Sequence, residues 1–249
     1  MVTPSFGVYV PLGYPDPETF SELLGLLPGA VDFVEVGVPS PRPKYDGPTI
    51  RRIHLDLVSR GSPSGLEAFR ELPRPPRGLT AIVMAYLEDV GVEGLGEAAS
   101  LAASKGYSSL LLPDLAFDYP GEVPAYVEAV RSAGMRPCFF ASSKFPHNWL
   151  VRYAANAPLF VYLGLQPSTG VRLPISVCRN VRLARRILGG VVLLAGFSVR
   201  TPGDAASLIR CGADAVVVGT RFLEVLSDRG VGEAVEYARE MRRAVHSAG

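Results

Sequence analysis

Eight short apolar runs, each followed by an amphipathic stretch, recur along the 249-residue chain and limit its fold more than any other feature. The runs are Phe6–Pro11, Asp32–Gly37, Leu79–Tyr86, Ser108–Leu112, Arg136–Ala141, Leu159–Leu163, Val191–Ala195 and Ala215–Gly219. Val191-Val192-Leu193-Leu194 is apolar at consecutive positions, as a strand covered on both faces is, and this points to a parallel sheet. Helical patterns lie between: Pro17–Leu27, Pro48–Ser59, Leu95–Lys105, Pro124–Ala133, Asn148–Ala155, Pro174–Leu188, Pro202–Cys211 and Gly232–His246. Several open on Pro, which suits a first turn whose N–H has no intrahelical partner. Gly134, Gly189 and Gly212 follow helices, where a left-handed cap is needed. Eight strand–helix units in about 250 residues is the repeat of a single-domain α/β barrel of the TIM (β/α)8 type. A doubly wound open sheet is the alternative, but Gly13-Tyr14-Pro15-Asp16-Pro17 after the first strand is not a GxGxxG phosphate fingerprint. The Pro- and Gly-rich segment Ser62–Pro76 is expected to be an irregular insertion too short to separate domains.

Composition excludes several classes. The 25 basic and 24 acidic residues leave a net charge of +1, without the basic surplus that nucleic-acid binding requires. No run approaches 18 apolar residues, and Met1-Val2-Thr3-Pro4 lacks the basic start of a signal peptide, so no membrane association and a cytoplasmic location are expected. Only Lys44, Lys105 and Lys144 are lysines, the other basic residues being Arg, and the amides are limited to Asn148, Asn156, Gln166 and Asn180. Heat selects against amides and for loop proline, so the bias fits a thermophile; a GC-rich genome also favours Arg. Cys138, Cys178 and Cys211 are widely spaced and are expected to be buried free thiols.

Active sites of such barrels lie at the carboxyl ends of the strands. There Glu35 stands among apolar residues, sharing a face with Phe33 and Gly37. An unpaired ionised carboxylate in such a place costs several kcal/mol, so Glu35 is paired, protonated or turned towards a cavity. A raised pKa would suit a general acid–base, whereas an Arg partner at the wall would make it structural. Asp46, before the helix starting at Pro48, reads on position as an N-cap. Three small-residue turns, Ser168-Thr169-Gly170, Gly196-Phe197-Ser198 and Gly219-Thr220, follow the last three strands. They suit a phosphate held by backbone N–H groups and a helix N-terminus, although ordinary turn chemistry favours the same residues. His54, His147 and His246 share no ligand spacing, so no metal is expected. Lys144 after the fifth strand is the one Schiff-base candidate, without supporting neighbours.

Together these segments resemble the α subunit of tryptophan synthase over nearly the whole chain. The resemblance is carried by Tyr9-Val10-Pro11-Leu12-Gly13, Phe33-Val34-Glu35-Val36-Gly37-Val38-Pro39, Asp46-Gly47-Pro48-Thr49-Ile50, Met84-Ala85-Tyr86, Leu112-Pro113-Asp114-Leu115, Thr169-Gly170, Ala195-Gly196-Phe197-Ser198 and Gly219-Thr220. It implies a lyase that cleaves indole-3-glycerol phosphate to indole and glyceraldehyde 3-phosphate in tryptophan biosynthesis, by a retro-aldol reaction without metal or cofactor. Glu35 matches the family's catalytic glutamate and Asp46 the aspartate that accepts the indole N–H. Tyr162 matches a tyrosine near the glutamate, and Met84, Tyr86 and Phe197 match residues around the indole. Gly170, Ser198, Gly219 and Thr220 match the phosphate site.

The chain also departs from that pattern. Ser40-Pro41-Arg42-Pro43 replaces Phe-Ser-Asp-Pro, so Arg42 reverses a charge in the loop that communicates with the family's β subunit. Glu88 stands where an Asn is frequent, and Ser198 replaces a glycine. The helix that precedes strand one in the family and covers the barrel bottom is expected to be missing. Partnership with a β subunit is therefore expected to be weakly coupled. A non-catalytic barrel binding a phosphorylated ligand, or another phosphate-handling lyase or isomerase, stays open as an alternative.

Overall fold

Parallel pairing of eight short strands organises the computed structural model, which describes residues 3–142, 147–165 and 177–249. The strands are β1 (Ser5–Pro11), β2 (Phe33–Gly37), β3 (Thr80–Met84), β4 (Ser109–Leu111), β5 (Phe139–Ser142), β6 (Val161–Gly164), β7 (Leu193–Gly196) and β8 (Ala215–Val218). Helices α1 (Pro17–Leu26), α2 (Pro48–Ser59), α3 (Gly65–Glu71), α4 (Leu87–Val90), α5 (Leu95–Lys105), α6 (Leu115–Asp118), α7 (Val123–Ser132), α8 (His147–Ala154), α9 (Val177–Leu188), α10 (Pro202–Arg210) and α11 (Thr220–His246) lie between and after them. The strand order β4-β3-β2-β1-β8-β7-β6-β5 is that of the expected TIM barrel, with β4 and β5 as the two free edges.

Side chains close that seam. Tyr126 of α7 sets its hydroxyl 2.6 Å from Leu110 O and 2.8 Å from Cys138 O, and accepts from Cys138 N–H at 2.9 Å. Ser109 Oγ lies 2.7 Å from Arg136 O. One phenol thus takes up backbone groups that an eighth ladder would have paired. Below the barrel, Asp32 accepts from Phe6 N–H at 2.8 Å and pairs with Arg242 at 2.9 Å and His246 at 2.8 Å, which ties the end of α11 to β1 and β2.

Local rules act as the sequence suggests in several places. α2 and α10 begin with Pro in their first turns, and α10 has a full capping box between Thr201 and Asp204. Gly134, Gly189 and Gly212 have φ of 78°, 57° and 109°. Two expectations need correction. Cys178 and Cys211 are not free thiols but form a disulfide, Cα–Cα 5.3 Å, joining the start of α9 to the end of α10. Pairing of β6 with β7 sets these helices side by side, an approach that a separation of 33 residues along the chain does not reveal. Residues 62–76 are not wholly irregular, because α3 buries Ala68 and Phe69 there. A helix from Thr220 runs into the expected Gly232–His246 helix across a break at Gly230, φ 84°.

Candidate active site

Four of the few fully buried polar side chains, Glu35, Ser40, Asp46 and His54, gather around the end of β2. Glu35 is 1 % exposed, and its Oε1 has no hydrogen-bond partner among the described residues. Burial, and then the nearby Asp46 charge, push its pKa from 4.5 up to about 8. Of the possibilities open from position, Glu35 is therefore protonated at neutral pH and turned towards a cavity, with no Arg paired to it among the described residues.

Asp46 is not an N-cap: Gly47 holds that position in α2 and makes no side-chain cap. Its carboxylate accepts instead from Tyr86 Oη at 2.7 Å and lies 3.8 Å from His54 Nε2. Burial raises the Asp46 pKa to about 6, while the Tyr86 hydrogen bond and the Arg51 charge restrain it. Tyr86 also accepts Tyr45 N–H at 3.2 Å, so one phenol holds two neighbours of the same loop.

The cavity above the barrel core is lined by Tyr9, Glu35, Met84, Leu111, Phe140, Tyr162 and Phe197, with Ser198, Gly219 and Thr220 at its other end. Phe140, Tyr162 and Phe197 form an aromatic wall, their ring centroids 5.3–5.8 Å apart. Tyr162 lies over Gly196, where a Cβ would strike its hydroxyl. Asp46 and Tyr86 stand beside the lining rather than on it. Phe197 and Ser198 adopt left-handed φ of 75° and 61°, which non-glycine residues seldom occupy without local compensation. Thr220 Oγ1 is buried without a partner among the described residues, at the N-terminus of α11, which Gly219 leaves without a side-chain cap. Arg200 and Arg221 are nearby, and both pair with Glu224, at 2.7 and 3.2 Å. Gly170 and Lys144 lie outside the described residues. Among the described residues, no group of three or more His, Cys, Asp or Glu could hold a metal ion.

The family description "Tryptophan synthase alpha chain" matches residues 3–247. The chain belongs to the tryptophan synthase alpha chain family. It is 29% identical to the tryptophan synthase alpha chain of Saccharolobus solfataricus over 94% of each chain. It is 31% identical to that of Acidothermus cellulolyticus, over 89% of this chain and 83% of the relative. A structure of Mycobacterium tuberculosis tryptophan synthase superposes with a TM-score of 0.84 at 26% identity, covering 98% of this chain and 93% of that one. The chain is thus a lyase of the tryptophan synthase alpha type, acting on indole-3-glycerol phosphate in tryptophan biosynthesis. Members of the family commonly pair with a β subunit. Among the described residues, no helix is long and apolar enough to cross a membrane.

The loop after β2 shows how the charge of Arg42 is accommodated. Arg42 pairs with Glu88 at 2.9 Å and Asp89 at 3.3 Å, and Lys44 with Glu88 and Asp118, each at 2.8 Å. Glu88 is therefore the counter-charge of Arg42. Ser40 Oγ donates to Asp89 at 2.5 Å and Tyr45 Oη to Asp118 at 2.9 Å. The loop carrying Asp46 is thus fastened to the loops after β3 and β4. Sequence reading missed this network, and it missed Tyr9, Leu111 and Phe140 on the cavity lining. A usable signal for these was their position near strand ends, on the same face as Glu35.

Proposed function

We propose that Glu35 is the proton carrier of this alpha-type lyase and that Asp46 holds the indole nitrogen. The observation that carries the reading is a buried, partnerless carboxyl protonated at neutral pH on the wall of a largely apolar cavity. Glu35 gives its proton to the ring carbon bearing the glycerol chain, which leaves the ring cationic and its N–H more acidic. Asp46 accepts that N–H and offsets the charge. Glu35, now a carboxylate, takes the proton of the hydroxyl on the attached chain carbon. The ring–chain bond breaks, the oxygen becomes the aldehyde carbonyl, and the electron pair returns to the ring. Indole and glyceraldehyde 3-phosphate leave, and Glu35 is again the acid.

In this reading Met84 and Phe197 enclose the indole, Tyr162 packs beside the glutamate, and Tyr86 orients Asp46. Backbone groups near Gly170, Ser198, Gly219 and Thr220 receive the phosphate, aided by the N-terminus of α11. That Arg200 and Arg221 already face Glu224 supports a phosphate held by backbone groups rather than by a free cation. No cofactor is invoked. Cytoplasmic action, expected from the sequence, belongs to the same proposal.

The fastened loop supports one further part of the reading, weak coupling to a β subunit. Arg42 is satisfied within the chain, so Asp46 is held without a partner's help. Indole release from indole-3-glycerol phosphate, measured with Glu35→Gln and Asp46→Asn, tests the chemistry. The same assay with a β subunit tests the coupling: activation of less than about tenfold is expected, and strong mutual activation would count against the loop argument.

A further inference from the structure

A buried polar cluster not used by the chemistry above joins Tyr9 of β1 to His54 of α2. Tyr9 is the register partner of Glu35, so both side chains leave the wall on the same inward face. Its ring lies over Gly37, where an added Cβ would meet the phenol oxygen, and against Gly219 in the last turn. Tyr9 therefore stands on the cavity wall between the acid and the end assigned to phosphate.

Hydrogen bonding fixes the direction of its proton. Ser40 N–H can only donate, and it lies 3.1 Å from His54 Nδ1. That nitrogen supplies its lone pair, so the neutral ring carries its proton on Nε2. Burial holds the ring neutral, with its pKa lowered to about 4. Nε2 is 2.7 Å from Tyr9 Oη and donates to it. The proton of Tyr9 must then point elsewhere, and Tyr9 Oη makes no second hydrogen bond among the described residues. Glu35 Oε1 on the same wall is an acceptor with no donor. A ligand hydroxyl between them, which gives one hydrogen bond and takes another, satisfies both.

We propose that Tyr9 is a further catalytic residue, donating a hydrogen bond to the substrate oxygen on the carbon attached to the ring, with His54 as the positioning residue that aims it. The inference rests on the lyase chemistry given for Glu35. As Glu35 removes the hydroxyl proton, negative charge builds on the oxygen that becomes the carbonyl, and the Tyr9 O–H faces it. No bond forms to Tyr9 and its proton stays in place. Burial, with the Asp46 and Glu35 charges, raises its pKa well above the ordinary range and keeps it a donor throughout.

The test compares a ligand that has this hydroxyl with one that lacks it. Tyr9→Phe should lower kcat for indole-3-glycerol phosphate by about 10- to 100-fold, with KM changed less than about threefold. It should leave the Kd of 3-(indol-3-yl)propyl phosphate, which has no chain hydroxyl, unchanged. His54→Gln, whose amide N–H can replace Nε2–H, should retain most of kcat, and His54→Leu should fall with Tyr9→Phe. Thermal midpoints identify any variant that fails to fold. Glu35→Gln, with and without Tyr9→Phe, gives the same comparison by binding alone. Loss of affinity for the glycerol compound but not the propyl one supports the contact even if the wild-type protein releases no indole, a result that would sink the lyase reading separately. Wild-type kcat in Tyr9→Phe, or equal loss of affinity for both ligands, overturns the proposal.

Discussion

Replacing Glu35 by Gln keeps the shape of the side chain and removes its ionisation, so it separates what the carboxyl does for catalysis from what it does to stability. In the unfolded chain the group ionises near 4.5, and in the folded protein burial delays ionisation to about 8. Between those values the folded state binds more protons, so stability falls with rising pH. The contribution of the protonated group is complete below about 4.5 and is lost as pH rises through about 8. At about 1.4 kcal/mol per pH unit, the full penalty is about 5 kcal/mol, of which about 3 kcal/mol is present at pH 7. Gln carries no such penalty. Urea unfolding of both proteins at pH 5, 7 and 9 should show Glu35→Gln gaining on the wild type by less than about 1, about 3 and about 5 kcal/mol in turn. The same variant should lose at least about 100-fold in indole release. A stability difference that stays constant from pH 5 to 9 would refute the buried-acid argument, whatever the activity shows.

Turnover should follow a bell in pH, with limbs near 6, where Asp46 ionises, and near 8, where Glu35 ceases to be an acid; a flat profile between 5 and 9 would contradict both roles. Tyr86→Phe removes the hydrogen bond that restrains the Asp46 pKa, so the acidic limb should move up by about one pH unit, read from kcat/KM profiles. Cys178→Ser, or reduction, opens a link across 33 residues and should cost about 3–4 kcal/mol of stability. Thiol titration of the unfolded, unreduced wild-type protein should find Cys138 alone. Raising the salt concentration should weaken the exposed pairs of Arg42 and Lys44, and an increase in KM without loss of fold is expected.

Much of the barrel was legible because its signals are local. An apolar run with a Gly-capped helix after it depends on neighbours a few residues away, and all eight strands fall within a few residues of their expected places. Glu35 stood out for a related reason: a carboxyl in an apolar strand is costly wherever the strand goes. The Asp46 role was ambiguous because capping and substrate binding use the same residue type at the same place. Only the folded chain, which puts Gly47 at the N-cap and Tyr86, 40 residues away, against the Asp46 carboxylate, rules out the cap. Arg42 lacked a reason until Glu88 and Asp89 were brought beside it, and His54, judged only as a metal candidate, became intelligible through Ser40 and Tyr9.

By itself, then, the sequence determined the strand–helix repeat and its caps, the buried acid at the end of β2, and the absence of a basic surplus. These follow from side-chain transfer costs and backbone geometry, which act over one or two turns of chain. Tertiary structure decided which phenol holds Asp46, which way the Tyr9 proton points, and which cysteines join. It also closed the β4–β5 seam with Tyr126 rather than a ladder. Each of these depends on hydrogen bonds or covalent geometry effective over about 3 Å for the former and about 5 Å between Cα atoms for the latter. Proximity on that scale between residues tens of positions apart is a property of barrel closure, and no local pattern encodes it.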